Sequence, residues 1–122
     1  MYKRQSEGLY RTSKERREDP TLEFLYRSAG PVWYRGMVCT DEKYDPLTPE
    51  QTDALLRRYD ADRLLIGHTI FPDISTFHDG RVIAVNVQNE RNRRKNRGRA
   101  VLIEGSRISV VGNRGVKRVL EE

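Results

Sequence analysis

The spacing of apolar residues changes near residue 60, and this change constrains the fold more than any other feature of the chain. Before it, Thr48-Pro49-Glu50-Gln51 reads as a helix start. Thr48 suits the N-cap, Pro49 the first helical position and Glu50 the positive helix end, and Gln51 completes a capping box. The spacing predicts a helix from Pro49 to Tyr59 that buries Leu55, Leu56 and Tyr59 and turns Arg57 and Arg58 to water. After it, Leu64-Leu65-Ile66 is a continuous apolar run, as expected of a strand covered on both faces. Ser75–Phe77 and Val82–Val87 flank Asp79-Gly80, and Ala100–Ile103 and Ile108–Val111 flank Gly105-Ser106. Both patterns are hairpin signals. Val116–Leu120 adds a short final edge strand. The expected fold class is α/β, with one clear helix leading into a strand followed by antiparallel hairpins.

The rest of the chain is less periodic. Residues 1–19 are polar and charge-mixed, and read either as a solvated helix or as a disordered segment. Pro20 restarts the pattern, and Leu22, Leu25 and Tyr26 fall at the spacing of a short amphipathic helix that Gly30-Pro31 stops. Residues 37–47 read as a loop. The expected organisation is therefore an N-terminal segment over 1–19 and one domain over 20–122. Charged residues make up 34% and hydrophobic residues 36% of the 122, so the core must be modest. A net charge of +5 permits an anionic partner without requiring one. The lone Cys39 excludes an intramolecular disulfide and fits a reducing compartment. No apolar stretch approaches the roughly 20 residues of a membrane span, and Met1-Tyr2-Lys3-Arg4-Gln5-Ser6 opens no signal peptide. The expected location is cytoplasmic.

Three groups of residues could carry chemistry. His68, in Gly67-His68-Thr69 after the apolar run, sits where a strand end can hold a metal ligand or a general acid or base, with Gly67 allowing a sharp turn. The competing reading is a histidine that hydrogen-bonds near a turn. Arg35, in Trp33-Tyr34-Arg35-Gly36, offers a planar fork of donors for phosphate oxygens, with Trp33 and Tyr34 as walls. Against this stands a core Trp33 beside a surface Arg35. The basic run Arg91–Arg99 could meet nucleic-acid phosphates, but carries no aromatic residue for base stacking, which favours a solvated loop.

Gly30-Pro31-Val32-Trp33-Tyr34-Arg35-Gly36, Arg63-Leu64-Leu65-Ile66-Gly67-His68-Thr69 and Phe77-His78-Asp79-Gly80-Arg81-Val82-Ile83-Ala84-Val85, in this order around the capped helix, resemble the C-terminal part of calcineurin-like metallophosphoesterases. The branch most similar is the bacterial Ser/Thr protein-phosphatase-like one, and the resemblance covers roughly residues 20–111. It implies part of a metallophosphatase-like sandwich, a dinuclear divalent metal (Mn, Fe or Zn) in the full-length protein, and a phosphorylated substrate. It assigns His68 as a metal ligand, Arg35 as the catalytic phosphate clamp, and Trp33, Tyr34 and Thr69 to the phosphate pocket. The family's N-terminal motifs, Asp-x-His, Gly-Asp-x-x-Asp-Arg and Gly-Asn-His-Glu, do not occur here, and Asn86 stands where many relatives carry Asp. The expectation is a C-terminal fragment, inactive alone, that holds no metal stably and partners the missing N-terminal half. The alternative is a stand-alone basic module that binds nucleic acid or another polyanion through residues 91–99.

Overall fold

The computed structural model of the chain describes residues 2–121. Among them are five α-helices and two three-stranded sheets, a mixed α/β arrangement. The chain divides into two compact units, Met1–Leu47 and Thr48–Glu122, and each is described by itself.

The first unit is helical. α1 (Tyr2–Leu9), α2 (Ser13–Glu18) and α3 (Pro20–Tyr26) are short, and local chemistry sets their ends. Thr12 caps α2 in a full capping box with Glu15. Asp19 caps α3 by accepting from the N–H groups of Thr21 and Leu22, with Pro20 in the first turn. Helices of six to eight residues are marginal alone, so packing must hold them. Leu22 and Leu25 are buried. The Tyr26 hydroxyl donates to the Gln5 carbonyl at 2.5 Å, and Arg4 pairs with both Glu7 and Asp19. Gly8 lets α1 approach this close, because a Cβ there would lie 2.2 Å from the Tyr26 ring. The residues before Pro20 are thus helical and tied to α3, and the division between units falls after Leu47. Residues 37–47 are a loop, as the sequence suggests, with one 3-10 turn at Glu42–Tyr44.

The second unit opens with α4 (Pro49–Arg58), which begins as the sequence predicts. The Thr48 side chain accepts from the Gln51 N–H, and the Gln51 side chain accepts from the Thr48 N–H. The buried stripe differs from the expectation. Thr52 and Leu56 are buried, Leu55 is half-buried, and Tyr59 is 72% exposed. The Thr52 hydroxyl donates to the Thr48 carbonyl at 3.0 Å, which satisfies the buried group. Tyr59 falls outside because it caps the helix with non-helical ψ, so the 3.6-residue period no longer fixes its direction.

One sheet contains β1 (Leu64–Ile66), β2 (Ser75–Phe77) and β3 (Val82–Ala84) in the order β1-β3-β2. β3 pairs parallel with β1 (Leu64↔Val82, Ile66↔Ala84) and antiparallel with β2 (Ser75↔Ala84, Phe77↔Val82). The strand buried on both faces is therefore β3. β1 is an edge strand with Leu65 43% exposed, which corrects the reading of Leu64–Ile66 as covered on both faces. The other sheet is an antiparallel meander of β4 (Arg99–Glu104), β5 (Arg107–Gly112) and β6 (Gly115–Glu121). Its first turn is Gly105-Ser106, with positive φ at Gly105, as a two-residue hairpin loop requires. Between the sheets, where the sequence suggests only a solvated loop, α5 (Asn89–Arg94) forms. It ends in a Schellman motif, with Asn96 at φ +57°, Asn96 N–H bonded to Arg93 O and Arg97 N–H to Asn92 O.

Ile74, Ile83 and Val87 form one buried cluster with Ile108 and Val110 of β5, so the two sheets share a core. Arg118 of β6 donates to the Ile74 carbonyl, and Arg99 of β4 pairs with Asp73 at 3.3 Å.

Asp19 is both the α3 cap and the partner of Arg4, and its carboxyl is held below the usual carboxylate range chiefly by the Arg4 hydrogen bond and then by the Leu22 N–H. A carboxyl with a depressed folded-state pKa contributes stability above its unfolded value of 3.8, and that contribution is lost as pH falls through the lower folded value. The denaturation midpoint of the first unit should therefore fall below about pH 4, and Asp19→Asn should flatten this acid limb. Glu15 and Asp41 of the same unit are also depressed by local hydrogen bonds, so part of the limb remains in the variant. An acid limb identical in wild type and Asp19→Asn contradicts the assigned linkage.

Candidate functional site

The residues singled out in the sequence fall in both units. Trp33, Tyr34 and Arg35 belong to the first, and His68 and Thr69 to the second.

In the first unit, α3 ends at Tyr26, and Gly30 folds the chain back so closely that a Cβ would stand 2.2 Å from the Phe24 carbonyl. The 30–47 loop then closes on itself. The Leu47 N–H donates to the Gly36 carbonyl at 3.0 Å, and the Tyr34 hydroxyl donates to the Asp45 carbonyl at 2.9 Å. Gly36 is required here, since a Cβ would meet the Tyr34 hydroxyl at 2.4 Å and the Asp45 carbonyl at 2.6 Å. The Tyr34 phenol is raised above its ordinary pKa, first by burial and then by the Asp45 charge, so it stays a neutral donor through physiological pH. Tyr34 is therefore committed to closing the loop. The Arg35 guanidinium lies 5.9 Å from the centre of the Tyr44 ring, within cation–π range, and its backbone carbonyl accepts from the Val38 and Cys39 N–H groups. Trp33 is 45% exposed, which corrects the reading of it as a core aromatic. The loop thus holds a cation on an aromatic face beside an exposed indole, an arrangement suited to a planar or anionic group.

In the second unit, His68 follows β1 and is exposed. Its φ is +70°, and the Thr69 N–H bonds back to the Gly67 carbonyl at 2.9 Å. The pair defines a γ-turn of positive φ, a rare and strained turn, centred on the histidine. The strain sits on His68 and not on Gly67, which has no positive φ and open space where its Cβ would be. The expectation that Gly67 supplies the sharp turn is corrected accordingly. A non-glycine residue in the left-handed region costs on the order of 1–3 kcal/mol and persists where the surroundings impose it, frequently at functional sites. Here the register imposes it. Leu64 N–H bonds to Arg81 O, and Val85 N–H bonds to Ile66 O at 2.8 Å, which fixes β1 up to the residue before the turn. The Phe71 N–H then bonds to the Asn86 carbonyl beside the parallel Phe71–Val87 bridge, so the chain from Ile66 to Phe71 must loop out to keep pace with the shorter stretch from Ala84 to Val87. Thr69 is half-buried, and its backbone rather than its hydroxyl closes the turn.

His78, the other histidine, is half-buried and lies in the β2–β3 loop, where His78, Asp79 and Gly80 all have positive φ. Among the described residues, no three His, Cys, Asp or Glu side chains come together in a way that could hold a metal ion. The donors present do not fit a dinuclear centre, and His68 would be at most one ligand of a set completed by other polypeptide. The exposed cations Arg91, Arg93, Arg94, Lys95 and Arg97 lie on α5 and the turn after it. Arg16 and Arg17 sit in a charge run that resembles a solvated face, so the sequence alone does not single them out, nor Arg27. The placement of Arg16 over the Tyr26 ring depends on how α2 and α3 pack, and Arg27 lies over the Phe24 ring at the end of α3.

No protein-family model matches the chain, and no curated protein does. Solved structures do. A cold-active protein tyrosine phosphatase from a psychrophilic Shewanella species matches with a TM-score of 0.61 at 23% identity, over 89% of this chain and 30% of that one. A further structure of a cold-active protein tyrosine phosphatase matches with a TM-score of 0.60 at 22% identity, over 88% of this chain and 30% of that one. The shared property is the fold, and the chain spans about 30% of the length of these phosphatases. No helix among the described residues is long and apolar enough to cross a membrane.

If β1 and its neighbours impose the left-handed turn, His68→Gly should stabilise the second unit by about 1 kcal/mol, because glycine meets no Cβ penalty there. His68→Ala should gain nothing. Urea denaturation of the three proteins tests this, and a His68→Gly variant less stable than His68→Ala would contradict the strain.

Proposed function

We propose that this chain is a portion of a phosphatase of the calcineurin-like kind that its sequence resembles. Its second unit supplies one metal ligand, His68, its first unit supplies a phosphate-binding element, the Arg35 loop, and further polypeptide supplies the remaining ligands. The observation that carries this reading is the strained turn that presents His68 at the end of β1, in a fold shared with phosphatases over nearly the whole chain. An exposed imidazole on a rigid strand end can donate a ring nitrogen to a metal or hold a proton at that nitrogen. Arg35 supplies positive charge for phosphoryl oxygens, with its guanidinium within cation–π range of Tyr44. Trp33 is the exposed wall of that loop, while Tyr34 shapes it. Domain limits of 20–122 belong to the same reading, with the helices before Pro20 as an addition to the phosphatase-like body. Cytoplasmic location is consistent with the lone Cys39.

A phosphotyrosine peptide is the first substrate to test, given what the similar structures are named for, and phosphoserine and phosphothreonine peptides are the comparison. The expected result is that the 122-residue chain alone, with added manganese, shows no turnover of an aryl phosphate, because one histidine cannot hold a metal pair. Joined to a polypeptide that supplies the remaining ligands, turnover should appear. There, His68→Ala should lower metal content, and Arg35→Ala should leave metal content intact and slow turnover by about 2–4 kcal/mol in barrier height. Turnover by the isolated chain that His68→Ala abolishes would overturn the reading. The polyanion-binding alternative rests on the five exposed cations on and after α5. Tight nucleic-acid binding near physiological salt, lost when Arg93, Arg94 and Lys95 are replaced by Ser, would favour it.

A further inference from the structure

Arg16, Arg17 and Arg27 have no part in the phosphatase reading, yet they converge. With Glu23, Ser13 and Ser28 they line a cleft of about 300 Å³ formed by α2, α3 and the residues after them. Three guanidiniums against one carboxylate leave a formal charge of +2 in a space that holds a phosphoryl group and the first atoms of its carrier. One of the arginines is pre-organised. Arg16 donates from Nε to the Gly8 carbonyl at 2.7 Å and lies 4.4 Å over the Tyr26 ring. The Arg27 guanidinium lies 5.4 Å from the Phe24 ring centre. Arg16, held through Nε, keeps the terminal fork that matches phosphate oxygens, and loses less entropy on binding than a mobile side chain.

We propose that this cleft is a binding site for a phosphate monoester, separate in chemistry from the His68 turn. A dianion gains from more than one guanidinium and outweighs the repulsion of Glu23. A singly charged carboxylate gains less against the same repulsion. The two serine hydroxyls supply uncharged donors for oxygens the arginines leave. The site stands whether or not the chain takes part in hydrolysis, since no residue in it is shared with the Arg35 loop or the His68 turn.

The test is a titration of the full chain followed by the arginine Nε–H signals in nitrogen-15 NMR. The probes are inorganic phosphate, O-phosphotyrosine as a blocked amino acid, and sodium chloride at matched ionic strength. Phosphate and the monoester should shift the Arg16 and Arg27 signals saturably, and chloride should not. Tighter binding of the monoester assigns the site to a phosphorylated side chain, and equal binding assigns it to free phosphate. Arg27→Ala should weaken binding about tenfold, as expected for one lost charge-assisted contact. Glu23→Gln should tighten it. Because Arg16 also braces Gly8 and Tyr26, Arg16→Lys is the variant of choice there; it keeps the charge, loses the fork and should weaken binding with helicity unchanged. Shifts no larger than those from chloride, or equal affinity in wild type, Arg27→Ala and Glu23→Gln, would overturn the proposal.

Discussion

Strand β3 is hydrogen-bonded along both edges, and Val82, Ile83 and Ala84 are all buried. With three residues it is far too short to persist without its neighbours. It gains them on every side. β1 and β2 flank it, and Ile83 belongs to the cluster with Ile108 and Val110 of the second sheet. The parallel pairing to β1 is the consequential one for the site, because it fixes Ile66 opposite Ala84, and the chain must loop out through His68 before Phe71 pairs in parallel with Val87. Without β3, β1 loses its partner strand, and the geometry that forces His68 to positive φ goes with it.

The charged groups around this core work locally. Arg63 donates to the Gly80 carbonyl at 2.6 Å, and Arg81 pairs with Asp53 of α4, so the β2–β3 loop is tied both to the start of β1 and to the helix before it. The Asn89 side chain gives and takes a hydrogen bond with the Arg99 backbone, closing the α5 segment onto β4. Exposed ion pairs of this kind contribute little to global stability, but they fix loop positions once the core has formed. With 34% charged residues and a modest core, such ties determine where the loops lie.

Much of this was legible in the sequence where chemistry is local. The Thr48–Gln51 capping box, the Pro20 helix and the glycine turns at 80 and 105 each follow from a few adjacent residues. The rank of strands was not. Leu64-Leu65-Ile66 and Val82-Ile83-Ala84 are equally apolar runs, and only the insertion of β3 between β1 and β2 makes the first an edge and the second a centre. The helical end of the 91–99 run was hidden by charge, because its stop signal, Asn96 at positive φ, carries no apolar periodicity. At the candidate site, His68 could be picked out by position, but the turn's strain resting on it rather than on Gly67 required the β1–β3 register. Arg16 and Arg27 gained meaning only when Tyr26 and Phe24 were placed beneath them.

The central claim is that one core, centred on β3, holds both sheets and the His68 turn together. Native-state hydrogen exchange in wild type and Ile83→Ala tests it most directly. Loss of this buried side chain should cost about 2–5 kcal/mol. The account predicts that amide protection falls by the same free energy in β1, β3, β4 and β5, including the Val85 N–H bonded to Ile66. Protection that falls in β1 and β3 while β4 and β5 keep their wild-type values would contradict it.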